Sequence, residues 1–430
     1  MKKRLILLLA LTFQFSIGQN TSYDVVFKNA TVVTMKNNEV LEKQNIAIKN
    51  GIIEVIEPAK KSKLKGLKEY NLKGQYIMPS LSDAHVHLPK EEHNLERFFQ
   101  LNLINGVTKV RSMRGEWEHV KWREKYNTAE SVNPKMYLSA PPFYRNYNLT
   151  EEAADEFVKA AKDRNFDFIK ILSIRNQEVF SILNAACEKY GLSIGGHYPK
   201  LASGNELNQE VLFKSNYTSF EHLGGLAGNT ENLEERIGLI KEKNITICPT
   251  MSWYNTGSGR YSYEELRKLR GMEYVDYQTM EEWIVSTTKY RKEKGDEAHQ
   301  KDVAEELGFL NEKYKVIKML HKAGVSMILS PDASSKYMIA GFGVLGEMKL
   351  LKNADLSNFE ILKMATANFS DFYNENYGTL ENGKDADFII LKNNPLEDLN
   401  ALEKINGLYY NSNYMSSKDL EEMSLNLLAE

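Results

Sequence analysis

The stretch "SLSDAHVHLP", Ser80–Pro89, sets two of the chain's eight histidines, His85 and His87, two residues apart behind an apolar run. In extended backbone, residues i and i+2 point the same way. Both imidazoles therefore project together from the end of a strand. Two adjacent rings repel when protonated and gain little when neutral, whereas a shared cation uses both lone pairs. One such pair is weak evidence alone, and its meaning depends on what other strand ends carry.

Strand-like apolar runs recur through the middle of the chain. They are "IMPSL" (Ile77–Leu81), "VTKVR" (Val107–Arg111), "MYLSA" (Met136–Ala140), "FDFIKIL" (Phe166–Leu172), "LSIGG" (Leu192–Gly196), "YTSFE" (Tyr217–Glu221), "ITICP" (Ile245–Pro249) and "SMILS" (Ser326–Ser330). Amphipathic stretches such as Thr150–Asp163 separate most of them. Strands alternating with helical crossovers predict a parallel sheet, most simply an α/β fold of the (β/α)8 TIM-barrel type. An open doubly wound sheet is the alternative, weakened by the lack of a G-x-G-x-x-G turn after the first strand.

Several of these strand ends carry chemistry. In "FDFIKIL" the two-residue period puts Lys170 on one face with Phe168 and Leu172, opposite Ile169 and Ile171. That face points into the barrel. A buried lysine is rare without a partner, and desolvation frees its amine for a Schiff base or for uptake of carbon dioxide as a carbamate. His197 follows "LSIGG", His222 follows "YTSFE", and Asp332 lies two residues past "SMILS". His85, His87, Lys170, His197, His222 and Asp332 thus gather at the C-terminal strand ends, where barrel enzymes place catalysis. His93, His119, His299 and His321 sit in charged helical stretches and read as solvent-exposed.

Outside the middle, short β-branched runs at Tyr23–Met35, Asn45–Glu57 and Gln75–Pro79 carry Asn-Gly and Lys-Gly turns. A similar piece returns as "YGTLENGKDADFIILKNNP" (Tyr377–Pro395). A small β-sandwich domain built from both ends of the chain is expected, over 19–78 and 371–411. The barrel spans 79–370, and a C-terminal helix follows over 412–430. The polar, aromatic segment 253–322 is too long for an ordinary connection and reads as a helical insertion, a lid or a contact with a second copy in a homo-oligomer.

Residues 1–18 read as a cleaved secretory signal. Lys2, Lys3 and Arg4 precede the apolar "LILLLALTFQF", and small residues precede Gln19. A periplasmic or secreted location follows. No later run has the length of a membrane span. Hydrophobic residues at 42% and charged residues at 26% are ordinary for a globular chain. A net charge of −3 gives no basic field for nucleic acid. Two cysteines, Cys187 and Cys248, are too few for a disulfide framework or a thiolate cage.

With these motifs in order, the chain resembles the amidohydrolase superfamily of metal-dependent hydrolases, in the branch near imidazolonepropionases and prolidase-like amidohydrolases. "GQYIMPSLSDAHVHL" resembles its first-strand motif and "NGVTKVRSMRG" its second. "FDFIKIL", "IGGHYP" and "FEHLGGL" resemble strands four to six, and "SPDAS" strand eight. "GTLENGKDADFIILKNNPLEDL" resembles the returning strand of the small domain. The resemblance implies one or two divalent ions, most commonly zinc. His85, His87 and Asp332 would hold the buried ion and His197 and His222 the second, bridged by a carboxylated Lys170. Arg111-Ser112 and Ser330-Pro331-Asp332 depart from the usual Arg-Asp and Gly-Thr-Asp without removing a ligand.

Such a set suits hydrolysis of a C–N bond in a small molecule by metal-activated water, with Asp332 taking and returning the proton. Amide, cyclic amide and dipeptide bonds fit, and so does ester or lactone cleavage. Arg111, Tyr144, Arg145, Tyr198 and Tyr254 are the candidate substrate contacts. Two other readings remain at this point. One is a non-catalytic, metal-binding exported scaffold. The other is an aldolase with Lys170 as Schiff-base lysine, against which the four strand-end histidines count.

Overall fold

The computed structural model describes residues 22–228 and 232–428, and the expected signal segment lies outside them. The barrel is built from seven parallel strands: β6 (Leu81–Val86), β7 (Val107–Ser112), β8 (Lys135–Leu138), β9 (Phe168–Ile171), β10 (Ser193–His197), β11 (Tyr217–Glu221) and β12 (Thr246–Cys248). They pair in chain order as β6-β7-β8 and β9-β10-β11-β12, joined by a parallel bridge from Ser139 to Phe168. An eighth segment closes the ring. Met327 bridges Ile247 and Ala333 bridges Val86, both parallel, and Ala84 N–H donates to the Leu329 carbonyl at 3.0 Å. It makes bridges rather than a ladder, so the strand expected at Ser326–Ser330 is an extended segment.

The first barrel strand lies further along than expected. Ile77–Leu81 is not one strand: residues up to Pro79 belong to β5 (Tyr76–Pro79) in the small sheet, and the barrel starts anew at Leu81. A short apolar run has no periodicity to reveal the break. It falls at Ser80, whose N–H donates to Asp387 O at 3.1 Å and whose hydroxyl bonds Thr108 at 2.6 Å. His85 therefore sits within β6, buried, and His87 just past its end.

The small sheet draws on both ends of the chain. Its other strands are β1 (Tyr23–Val33), β2 (Val40–Lys49), β3 (Ile52–Pro58), β4 (Gly66–Asn71), β13 (Phe388–Leu391), β14 (Gly407–Tyr410) and β15 (Asn413–Ser416). The order is β15-β14-β13-β5-β1-β2-β3, with β4 pairing with β1. Strands three apart in a flat sheet would lie about 14 Å from each other. Yet the rings of Phe27 on β1 and Tyr409 on β14 are 5.4 Å apart, and those of Tyr70 and Tyr414 are 4.4 Å apart. The sheet folds over on itself around Phe27, Phe388 and Tyr409. It runs on to Ser416, and the last helix spans Ser417–Leu427.

The small sheet abuts the barrel end remote from the strand C-termini. Buried Lys109, early in β7, pairs with Asp387, and its amine lies 3.9 Å from the Tyr377 ring centroid. Gly106 leads into β7 at φ +73, and a Cβ there would come within 2.7 Å of Ile389, so the contact needs glycine. Between β12 and the eighth segment lie helices Met251–Gly257, Tyr263–Arg267, Tyr277–Lys294 and Asp296–Lys322. The last buries Leu310, Tyr314, Ile317 and Leu320 against the barrel. Among the described residues, no helix is long and apolar enough to cross a membrane.

Candidate metal centre

The C-terminal strand ends bring the four histidines, Lys170 and Asp332 together. Three ring nitrogens surround one carboxylate. His85 Nε2 lies 3.7 Å and His87 Nε2 3.5 Å from Asp332 Oδ1, while His222 Nε2 lies 3.9 Å from Oδ2. The His222 ring is 5.0 Å from that of His85 and 4.8 Å from that of His197. His222 and Asp332 both hold left-handed backbone, φ 63 and 69, which turns each side chain inward as its strand ends.

The hydrogen bonds beneath fix what those nitrogens offer. His85 Nδ1 lies 2.8 Å from Glu221 Oε2, and an ionised carboxylate only accepts. Nδ1 therefore carries the proton and Nε2 presents a lone pair. His222 Nδ1 lies 2.6 Å from Thr250 Oγ1, whose hydroxyl donates to the Pro249 carbonyl at 2.8 Å. This assignment again leaves Nε2 of His222 as the acceptor. Lone pairs thus face the Asp332 carboxylate, whose buried Oδ1 has no hydrogen-bond donor among the described residues. Acceptors facing acceptors at these distances suit a cation held between them. Lys170 Nζ is also fully buried and without a hydrogen-bond partner among the described residues. The donor set fits the group that the sequence resemblance implies.

Burial keeps the histidines neutral. Desolvation holds His87 down at about 4 and His197 at about 3, and pushes His85 and His222 well below the usual imidazole range, with the Lys170 charge adding to each. Desolvation likewise lowers Lys170 to about 8. The same effect raises the carboxyls: Asp83 to about 8, Asp332 to about 7 and Glu347 to about 7. These shifts set the sign of a pH effect on the metal-free protein. Above pH about 7 an unfolded chain has shed its carboxyl protons and most of its histidine protons, its lysines remain charged, and Lys170 in the folded chain is still mostly charged until pH nears 8. The folded chain still holds protons on the three raised carboxyls, so stability falls as pH rises through their folded values. The slope is on the order of 1 kcal/mol per pH unit for each proton held only when folded. Unfolding midpoints of chelator-treated protein should therefore be lower at pH 8 than at pH 7. A flat or rising midpoint would contradict these shifts.

The expected substrate contacts separate. Arg111 requires a correction: it is buried inside the barrel, with Nη1 2.6 Å from Glu221 Oε1 and Nη2 2.7 Å from Ser219 Oγ. A guanidinium committed to a buried carboxylate is not open to substrate. Tyr198 is also buried, its ring 5.1 Å from Phe220 and 4.7 Å from the Arg236 guanidinium. It packs the loop after β11 from beneath. Tyr254 accepts the Leu223 N–H at 3.0 Å and steadies the segment after His222. Tyr144 and Arg145 lie exposed on the loop after β8. His119 also departs from expectation. It is buried, accepts the Glu116 N–H at 3.2 Å, and its ring lies 4.6 Å from Trp122. The helix His119–Tyr126 turns that face to the barrel.

Four residues escaped the sequence reading. Glu221 and Ser219 share one face of β11 at the two-residue period, and an acid inside a barrel demands a cation, which Arg111 supplies. That signal was present in "YTSFE". Trp253, 46% exposed with its ring 5.6 Å from His222, stands beside the site. Arg114 is exposed two residues past β7, and its charge is felt at His87. Its neighbours pin it at the rim: Met113 N–H donates to the Val86 carbonyl at 2.9 Å and Gly115 N–H to Ser139 Oγ at 3.0 Å.

The sequence model of the amidohydrolase family matches residues 76–413. An adenine deaminase of Ligilactobacillus salivarius is 25% identical over 203 residues, covering 44% of this chain and 34% of that protein. An imidazolonepropionase of Pseudoalteromonas atlantica is 31% identical over 77 residues, 16% of this chain and 19% of that one. A solved putative prolidase from Bifidobacterium longum shares the fold, with a TM-score of 0.67 at 20% identity over 94% of this chain and 99% of that one. The chain spans about a third or less of the length of the first curated relatives it matches.

Proposed function

The chain belongs to the amidohydrolase family, and from that premise we propose that it is an exported, metal-dependent hydrolase breaking a C–N bond of a small molecule. The bond is an amide, cyclic amide or dipeptide bond. The observation that carries the reading is the set of inward lone pairs on His85 and His222 facing the Asp332 carboxylate, whose Oδ1 has no hydrogen-bond donor among the described residues. His85, His87 and Asp332 would hold one ion, and His197 and His222 a second. Lys170, carboxylated, would lie between them. Zinc is the ion proposed, one or two per chain. A divalent cation held there supplies Lewis acidity and lowers the pKa of water to about 7.

The chain's own groups do the rest. Asp332 Oδ1, with no competing donor among the described residues, takes the proton of the attacking water and returns it to the leaving nitrogen. Glu221 and Thr250 hold the His85 and His222 rings in one tautomer through the reaction. Trp253 and Arg114, with Tyr144 and Arg145 on the facing loop, border the mouth where substrate enters. Trp253 offers an apolar face and Arg114 a charge for an anionic or carbonyl-rich group.

The experiment is a substrate panel with zinc-loaded and chelator-stripped protein. N-acyl amino acids, dipeptides, cyclic amides and aminopurines would be assayed beside esters and lactones. Turnover of a C–N class that chelation removes and zinc restores is expected. Turnover confined to esters and lactones, or indifferent to chelation, would overturn the reading.

Export has its own test. The basic, apolar and small-residue order before Gln19 is the motive. Protein made in a native-like host should begin at or near Gln19 and appear in the periplasmic or secreted fraction. Cytoplasmic protein that retains Met1 would reject it.

A further inference from the structure

We propose that Glu221, held by Arg111, is the positioning residue that sets the centre's cation affinity by fixing the proton of His85 on Nδ1. The proposal rests on the metal-centre reading above and extends it to side chains that touch no substrate.

Glu221 projects inward from β11 directly beneath the histidines. Its two oxygens are divided: Oε2 faces His85 Nδ1 at 2.8 Å, and Oε1 receives Arg111 Nη1 at 2.6 Å and Ser219 Oγ at 2.9 Å. His85, Glu221 and Arg111 side chains are 2%, 0% and 1% exposed, so these bonds are shielded from bulk solvent. The guanidinium is itself seated. Nη2 lies 2.7 Å from Ser219 Oγ, and its carbon lies 4.4 Å from the Phe168 ring centroid and 5.3 Å from that of Phe372. Gly195 on β10 makes room for it, since a Cβ there would come within 2.8 Å of both Arg111 Nη2 and Ser219 Oγ. Arg111, Ser219 and Glu221 form a buried unit that bonds outward to the Ala84 carbonyl at 3.4 Å and, through Glu221 Oε2, to a metal-facing ring.

The consequence lies in what a free ring would do. A neutral imidazole without the Glu221 acceptor can move its proton to Nε2. That N–H would point at Asp332 Oδ1, now 3.7 Å away, and supply the donor this oxygen lacks. The acceptor pair that suits a cation would become a hydrogen bond, and a cation would have to displace it. Glu221 closes that route because a carboxylate cannot donate. Arg111 contributes the opposite charge without which a buried carboxylate is costly.

The test uses full-length protein, zinc as the probe, and the variants Glu221→Gln and Glu221→Gln/Arg111→Met. The single change leaves Arg111 buried and unpaired and is expected to weaken folding. The double change removes both charges and is expected to restore the stripped protein's unfolding midpoint toward that of the wild type. Zinc affinity, measured by competition with a chromophoric chelator, should stay about 10–100-fold weaker in both. A merely structural role would let affinity recover with stability, and a well-folded double variant with wild-type affinity would overturn the proposal. A second readout does not depend on the Glu221 and Arg111 variants. Nitrogen-15 spectra of histidine-labelled, metal-stripped wild type should show the His85 proton on Nδ1, assigned by its loss in His85→Gln. A proton on Nε2 overturns the proposal even if both Glu221 variants misfold. A wild type that binds no zinc strikes the hydrolase reading instead, and the metal-free spectrum keeps the two failures apart.

Discussion

Replacing Asp332 with asparagine is expected to leave much of the metal in place while turnover falls by on the order of 10²–10⁴-fold, the range for a positioned acid–base group. Asparagine keeps the size and one carbonyl oxygen at the centre of the three histidines but cannot take a proton. Burial raises the wild-type carboxyl to about 7, and a neighbouring dication acts the other way, favouring the charged form. In metal-loaded enzyme the acidic limb of the pH–rate profile should therefore belong to the attacking water rather than to Asp332. Parallel measurements of zinc content and turnover decide the matter. Normal metal content with near wild-type turnover would reduce Asp332 to a ligand and require the proton acceptor to be another group.

The second large effect is expected at Lys170. Its amine is fully buried, without a hydrogen-bond partner among the described residues, and desolvation lowers it to about 8. A useful fraction is then neutral near pH 7 to 8. Addition of carbon dioxide to that amine, with loss of a proton, gives a carbamate whose two oxygens can serve two cations. Lys170→Ala should cost several kcal/mol of charge stabilisation, on the order of 10³-fold in turnover. A short carboxylic acid such as propionate should restore part of it by filling the space with two oxygens. Lys170→Arg fills the cavity but cannot form the carbamate, so it should stay inactive and unrescued. An active arginine variant, or fully active enzyme whose mass shows an unmodified lysine, would contradict the bridge.

The barrel was legible because its signal is periodic. In "FDFIKIL" alternation alone places Lys170 inside, and the structure has Lys170 fully buried with the Arg111 guanidinium against Phe168 from the same face. The histidines at strand ends were legible for the same reason. What alternation cannot give is the partner across the barrel. Arg111 and Glu221 are 110 residues apart in sequence, and Arg111 alone reads as a substrate contact while Glu221 signals a buried acid without naming its partner. The same limit hid the break at Ser80, because a short apolar run serves two strands as well as one. The charged sequence around His119 reads as exposed all round, yet the His119 and Trp122 face of that helix is covered. The eighth segment shows the reverse case. "SMILS" is apolar and β-like, yet it joins its neighbours only through single bridges, at Met327 and, past its end, at Ala333.

The most direct measurement is elemental analysis of the purified, unsupplemented protein alongside its activity, repeated on His85→Ala and His197→Ala. The account predicts one or two equivalents of a divalent metal, foremost zinc, in the wild type. Each variant should hold less, and activity should follow occupancy when the ion is stripped and returned. Metal-free protein with full hydrolytic activity, or histidine variants holding the same metal at the same affinity, would contradict it.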